Sequence, residues 1–528
     1  MSDADETGLR VAEVIAALSL ATDLGMGQPM EHMLRTCLLA VRLGSSMGLS
    51  DHALSELYYI ALLRRIGCTS DAYELGVLFG DDLAAHARSF TLDFGRPLDV
   101  LADMLRYAGA GQPPWDRAGA IVAALAAGRR VPEALFRASC EVARSLAAHL
   151  GFGPRVQEAL GQTFERCDGQ GFPHRLRGEE TALPARIVQV AEDAEVFHRL
   201  GGVGAVVAMA RQRAGAGHDP AIAARLCQDT GQLFQDLEAA SVWEAALAAE
   251  PRPHHLLSPA RLDAALEAIA WFADLKSPFT TGHSTRVAEL AARAAVRAGL
   301  SEADAILVRR AGLVHDLGRA GVPNRIWDKR GPLIPSEWEL VRLHPYYTER
   351  ALSRPAVLAR LGALAGLHHE RLDGSGYYRG VSASMLAPGA RILAAADVYS
   401  AMTEPRPHRP ALAPEVAARE LRDEVRRGRL DGEAVNAVLQ AAGHRVRRQR
   451  AWPAGLSGRE VEVLRLVARG FSNRQIARRL VIAEPTVAHH IQHLYAKIGV
   501  STRAAATLFA LQHALLEPVE ELADRAEI

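Results

Sequence analysis

TGHSTRVAELAARAAVRAGL (residues 281–300), AILVRRAGLVHDLGRAGVPNRI (305–326), VLARLGALAGLHHERLDGSGYYRG (357–380) and RILAAADVYSAMT (391–403) decide how the rest of the chain is read. With His344 between the second and third, they supply His283, His315-Asp316, His344, His368-His369 and Asp397: five imidazoles and two carboxylates. Imidazole suits iron, zinc and related metals, and carboxylates add oxygen ligands. Adjacent side chains diverge by about 100° on a helix, so His315-Asp316 or His368-His369 can serve two neighbouring ions instead of chelating one. Any one of these residues alone is commonplace, but their contexts agree. His315-Asp316 closes an apolar helical run and meets Gly318 and Gly321. His368-His369 ends another such run and leads into a glycine-rich loop. Asp397 is the polar intruder in an apolar helix. Ligands at helix ends beside glycine turns can converge on one cleft.

These residues, together with KRGPLIPSEWELVRLHP (329–345), resemble the HD-GYP branch of the HD-domain metal phosphohydrolases across about Leu256 to Gly443. The resemblance implies a helical domain that hydrolyses cyclic di-GMP or a related nucleotide. Two divalent transition-metal ions, Fe or Mn, would be held by His283, His315, Asp316, His344, His368, His369 and Asp397. Two ions about 3.5–4 Å apart polarise a phosphoryl oxygen and activate a water for in-line attack. Asp316 and Arg319 carry the catalytic expectation, and Arg319, Asp373, Gly376 and Tyr377 the substrate contacts. Glu370 or Asp373 would orient the imidazoles, although Asp373, in DGSG, also suits a turn.

The pattern departs from the family at four places. Arg319 stands where the family has lysine, exchanging a point charge for a planar fork. The Gly-Tyr-Pro signature reads Gly376-Tyr377-Tyr378, without the ring that stiffens the loop. Phe279 occupies the place of a glutamate that holds a third metal in some members, hence an expectation of two ions. SASMLAP (382–388) replaces a Gly-x-x-Ile-Pro loop.

The chain is long enough for several domains. Lys plus Arg equals Asp plus Glu at 61 each, so overall charge selects no partner. No uncharged apolar run approaches 18 residues and the start is acidic, which predicts a cytoplasmic protein without a membrane partner. The five cysteines read as reduced packing residues.

A repeat emerges upstream. HMLRTCLLAVRLGSSMGL (32–49) parallels residues 283–300, and ERCDGQGFPHRLRGEETALPARIVQVAED (165–193) parallels the segment beginning ERLDGSGYY at Glu370. In the early copy Arg64 and Arg65 stand for His-Asp, Thr163 and Phe164 for His-His, and Glu192 for Asp397. Paired arginines repel a cation, so residues 8–250 read as a degenerate, metal-free HD-GYP-like domain. It would serve packing, dimerisation, or nucleotide sensing through Arg64 and Arg65. His86, His149 and His174 read as ordinary histidines.

Residues 444–455 form a basic linker. From 456 to 516 the chain shows four short helices with capping boxes at Ser457/Glu460 and Ser472/Gln475, a cap at Ser501, and Gly470 and Gly499 at helix ends. SNRQIA, TVAHH and KIGVSTR resemble the LuxR-type helix-turn-helix. That resemblance implies a third helix, Glu484 to Lys497, in the major groove of double-stranded DNA. Thr486, His489 and His490 would face bases, and Arg474, Arg478, Lys497 and Arg503 phosphates. A homodimer reading two half-sites follows from that mode.

The expectation is therefore an all-α protein with tandem HD-domain bundles, residues 8–250 and 258–443, followed by a four-helix DNA-binding domain. It acts as a metal-dependent phosphodiesterase and transcriptional regulator. The alternative is a nucleotide-sensing regulator with weak or no hydrolysis.

Overall fold

The same turn opens the same helix twice. In the computed structural model, which describes residues 8–110, 113–128, 130–235, 237, 241–445, 452–480 and 482–516, Glu31 and Gly282 both take left-handed backbone (φ 75° and 72°). They stand directly ahead of helices His32–Ser46 and His283–Arg297. Ser50 and Ser301 cap the next helices, Asp51–Leu63 and Glu302–Val314. Each hydroxyl accepts a first-turn backbone N–H, satisfying a donor the helix leaves open. Asp23 and Asp274 accept from the backbone N–H groups of Met33 and Ser284. All three pairs stand 251 residues apart (282−31, 301−50, 274−23), so the repeat seen in sequence is a repeat of backbone shape.

Each first helix packs against its capped neighbour and a later helix, Leu183–Arg213 in the first copy and Pro388–Thr403 in the second. The described residues contain only isolated bridges and no strand, which gives the all-α fold the sequence predicted. The two stretches expected as separate domains nevertheless pack into one compact unit ending at His444. Helix Val11–Gly25 explains the union. It is buried on almost every face because it packs both on its own copy and on Leu317–Gly321 and His344–Leu352 of the other. Burying side chains such as Ile15 and Leu18 is worth about 1.5–3 kcal/mol each, and both are 1% exposed.

The copies differ between their His-Asp and His-His positions. Arg64 to Thr163 spans 99 residues (163−64), against 53 from His315 to His368 (368−315). The excess accommodates helices Ala72–Phe79, Asp82–Ser89, Pro97–Tyr107 and Pro114–Ala127 ahead of Arg130–His149.

The second unit, from Arg445, comprises helices Gly458–Ala468, Asn473–Leu480, Glu484–Ile498 and Arg503–Gln512. Val463, Val467, Ile476, Val487 and Leu494 are buried together, with Leu480 and Ile491 half-buried against them. The capping box at Ser457/Glu460 forms. The last helix is capped by Thr502 and not by Ser501, since it is the Thr502 hydroxyl that accepts from Ala505 N–H.

Candidate metal centre

Six side chains of the second copy reach a common point from helix ends or the turns that follow them, and one from a helix interior. His283 and His344 sit in the first turns of their helices, His315-Asp316 follow Val314, His368-His369 follow helix Ala356–Ala365, and Asp397 lies within Pro388–Thr403. The His-Asp turn is held against the His344 helix at close range. A Cβ on Gly318 would lie 2.0 Å from the His344 carbonyl, so only glycine fits. Thr348 fastens the turn by accepting from Gly318 N–H and donating to the His315 carbonyl.

Three imidazoles are oriented by one device. Nδ1 of His315, His344 and His368 donates to the carbonyl three residues earlier, at 2.8, 2.6 and 2.7 Å. A carbonyl only accepts, so the proton is on Nδ1 and each Nε2 points a lone pair inward. His344 Nε2 and His368 Nε2 face each other at 3.2 Å. Burial, reinforced for His368 by neighbouring imidazoles, holds His344 down at about 4 and His368 at about 3. Both are neutral at pH 7, and two opposed lone pairs with no proton between them fit a cation. The buried His315 Nε2 has no hydrogen-bond partner among the described residues.

The ligand atoms fall into two end groups joined by a third, His315, Asp316 and His368. His283, His315 and Asp397 offer ligand atoms within 4.8 Å of one another, as do His344, His368 and His369. Asp316 lies between them. Its Oδ2 is 3.9 Å from His283 and 3.6 Å from His315, while Oδ1 is 3.5 Å from His344 and 3.7 Å from His368. Burial opposes charge on Asp316, yet His315, Arg319 and His344 hold its carboxyl far below the usual range. His283 is raised to about 9 although burial pulls the other way, because Asp397 and Glu404 bond it. The carboxylates draw positive charge to this half, where a proton and a metal ion compete for the same atoms.

Several assignments change. Asp373 is exposed and accepts from Ser375 N–H and Oγ, so it makes the turn and orients no imidazole. Glu370 does not orient one either; its carboxylate accepts from the backbone N–H groups of Arg379, Gly380 and Val381. Glu165 does the same for His174 and Leu176 in the first copy. The orienting carboxylate is Glu404, which accepts from His283 Nδ1 at 2.8 Å and from Arg286 Nε at 2.8 Å. Sequence reading missed it because Glu404 lies outside every quoted motif, directly after the Asp397 helix.

Gly376 is a packing position, since a Cβ there would meet Glu370 Cα at 2.5 Å. Tyr377 stacks on His369 with centroids 4.6 Å apart. The loop lacks the expected proline ring, but Tyr378 Oη and Arg379 both donate to Glu349, which ties it down by other means. Arg319 reaches Asp316 at 3.4 Å and lies 3.8 Å over Trp327.

In the first copy the corresponding space is filled by an ion triad. Arg64 Nε reaches Glu192 Oε2 at 2.8 Å, and Arg65 grips both oxygens at 2.8 and 2.6 Å. Arg64 also donates to the Thr163 carbonyl. The arginines expected as nucleotide contacts are therefore committed internally. His86, expected to be ordinary, is buried against Asp71.

In the second unit Arg474, Arg478, Thr486 and His489 are exposed, while His490 and Arg503 are half-buried. Arg503 donates to Asn473. Lys497, expected at a phosphate, donates from its ammonium to Glu460 at 2.8 Å and to the Gly455 carbonyl.

Residues 267–434 match the profile of the HD domain, and residues 454–510 that of the bacterial regulatory proteins of the luxR family. The chain is similar to the 3′3′-cGAMP-specific phosphodiesterase 3 of Vibrio cholerae, 32% identical over 407 residues, 76% of this chain and 88% of that protein. A match of that length exceeds either copy alone. It is also 37% identical over 158 residues to a cyclic di-GMP phosphodiesterase of Thermotoga maritima, covering 30% of this chain and 43% of that one. The crystal structure of a cyclic GMP-AMP-specific phosphodiesterase of V. cholerae superposes with a TM-score of 0.58 at 27% identity, over 83% of this chain and 98% of that chain. No helix among the described residues is long and apolar enough to cross a membrane.

Proposed function

We propose that this chain, which belongs to the HD-GYP family of HD-domain proteins and carries a luxR-family module, is a metal-dependent phosphodiesterase of cyclic dinucleotides that reports to DNA through its last four helices. The observation that carries this is Asp316 standing between two imidazole groups, with the opposed Nε2 lone pairs of His344 and His368 3.2 Å apart. His283, His315 and Asp397 would hold one ion and His344, His368 and His369 the other, with Asp316 shared. Bound there, divalent Fe or Mn supplies Lewis acidity toward a phosphoryl oxygen and lowers the pKa of a water. Arg319, fixed over Trp327, meets phosphate charge. Glu404 keeps the His283 ring turned inward. Tyr377, stacked on His369, holds that ring in place.

Cyclic di-GMP and 3′3′-cGAMP are the two substrates to compare, since relatives named for each match this chain. Purified protein with Mn²⁺ or Fe²⁺ should linearise at least one, and His315→Ala should not. Retained nucleotide binding without product in the unmodified protein would leave a sensing regulator. For the second unit, Arg474, Arg478 and Thr486 carry the DNA reading, with a homodimer spanning two half-sites. A gel shift on the chain's own promoter region should disappear when residues 444–528 are removed.

A further inference from the structure

The helices that lengthen the first copy enclose a cavity that the catalytic reading leaves unused. It measures about 110 Å³, and Leu75, Leu78, Leu92, Met104 and Leu135 give it an apolar wall. Two buried polar groups also line it. The side chains of Asp71 and His86 are 8% and 7% exposed and face each other at 3.2 Å. Ser139 donates to Asp71 Oδ2, but Asp71 Oδ1 and His86 Nε2 make no well-formed hydrogen bond among the described residues. The two atoms are held only by their own ion-pair contact, so a guest hydroxyl that both donates and accepts can bridge them.

Charge and size narrow the guest. The arginines on the wall are already paired, Arg65 with Glu192 and Arg88 with Asp103, which leaves no free charge for an ion. A dry cavity of about 150 Å³ accommodates benzene, so this one, at about 110 Å³, has room for no more than one small ring.

We propose that this cavity is a regulatory site for a neutral, largely apolar, ring-sized molecule bearing one hydrogen-bonding group, and that its occupancy is transmitted to the metal-binding copy. The route is short. Asp82 lies on the helix whose Ala85 and His86 line the cavity. Its carboxylate accepts from Lys276 Nζ at 2.6 Å and from Asn324 N–H at 2.6 Å. Asn324 opens the helix Asn324–Trp327. Trp327 donates Nε1 to the Arg319 carbonyl, lies under the Arg319 guanidinium, and meets His344 edge-on at 5.4 Å. One buried hydrogen bond, Asn324 N–H to Asp82, and one helical turn therefore join the cavity wall to two residues of the site. Such adjacency becomes coupling only if a ligand biases both ends, which the experiment reads directly.

The probes are phenol and 4-methylphenol, titrated into the full chain by ligand-observed NMR. Hydrogen–deuterium exchange over residues 317–327 is followed with and without probe. Neither measurement needs metal or hydrolysis, so its failure is distinct from failure of the phosphodiesterase reading. At least one probe should bind, at least tenfold more weakly in Leu78→Trp and in Met104→Trp, which fill the cavity. Exchange at 317–327 should change on binding in the unmodified protein and in neither filled variant. Asp82→Asn should keep the binding and lose the exchange response. No binding of either probe, or equal binding in both filled variants, overturns the site. Binding with no change at 317–327 overturns the transmission.

Discussion

Glu404→Gln tests the metal centre at the residue the motifs did not mark. The carboxylate accepts from His283 Nδ1 at 2.8 Å, is 9% exposed on its side chain, and is fixed from behind by Arg286 at 2.8 Å and Arg406 at 3.2 Å. An amide of the same shape keeps the packing but loses the charge that makes His283 a better donor of its Nε2 lone pair. It also offers an NH₂ group that can turn toward Nδ1 and select the wrong tautomer. Removing an outer partner of a ligating histidine costs 10–100-fold in metal affinity, or about 1.4–2.7 kcal/mol. Because Glu404 touches His283 and none of His344, His368 or His369, the loss should fall on one ion of two. Mn²⁺ titration by calorimetry should therefore show one affinity preserved and one weakened, where the unmodified protein shows two comparable steps. Equal weakening of both steps, or none, would refute the division of the ligands into two groups.

Other outcomes follow from the same geometry. Asp316→Asn, which touches both halves, should lower the stoichiometry of bound Mn²⁺ below two and abolish hydrolysis together, as read by metal analysis and nucleotide chromatography. Glu192→Gln strands two buried guanidinium groups and should destabilise the first unit by about 3–5 kcal/mol at pH 7, measured as a urea midpoint. Although burial opposes it, Arg64 and Arg65 lower Glu192 from 4.5 to about 2. Its contribution is thus present above about pH 4.5 and is lost as pH falls toward 2, so the gap between variant and parent should close over that window. Gly376→Ala would force a Cβ against Glu370 Cα and Arg371 N at 2.5 Å; it should displace the loop and show as lost protection of residues 377–381 in hydrogen exchange. Arg474→Ala and Arg478→Ala should each reduce the salt slope of DNA binding by about one, while Lys497→Ala should instead lower thermal stability through Glu460.

The converging imidazoles and carboxylates of the candidate metal centre were legible because ligation demands specific side chains, and those survive as letters at fixed spacing. The duplication was legible for the same reason, since Gly171 and Gly376 or His32 and His283 keep their places. What escaped was whatever depends on a partner distant in sequence. Glu404 orients a ring 121 positions away. Glu370 and Glu165 both tie down a neighbouring loop backbone, a role that no residue type announces. The inserted helices of the first copy carry no motif, and the sequence offered no reason to separate His86, buried on Asp71, from the exposed His174. Which helix joins the two copies was also hidden, because helix Val11–Gly25 declares only that it is buried and not by what.

The two copies show what a shared scaffold requires at its centre. In the second, carboxylates and imidazoles gather charge and lone pairs suited to an added cation. In the first, the chain supplies the cation itself, as Arg64 and Arg65 on Glu192. A permanent internal ion triad needs no metal, cannot exchange, and frees its surroundings from the geometry of ligation. That freedom is where the inserted helices and their cavity are found, beside Arg65. The copy that kept the ligands also kept short connections, 53 residues against 99 between corresponding positions (368−315 and 163−64), as convergence on a small centre demands. Loss of metal ligation and gain of an apolar cavity are on this view two sides of one change: the first copy exchanged a site for ions for a site for a neutral guest. Restoring Arg64→His, Arg65→Asp and Glu192→Asp together tests it. The triple variant changes the buried centre from a net +1 to −2 and, with His32, presents the ligand set of one half; it should bind one Mn²⁺ and not two, because Thr163 and Phe164 supply no ligands for the other half. Tight binding of two ions there would show that the scaffold alone makes the centre.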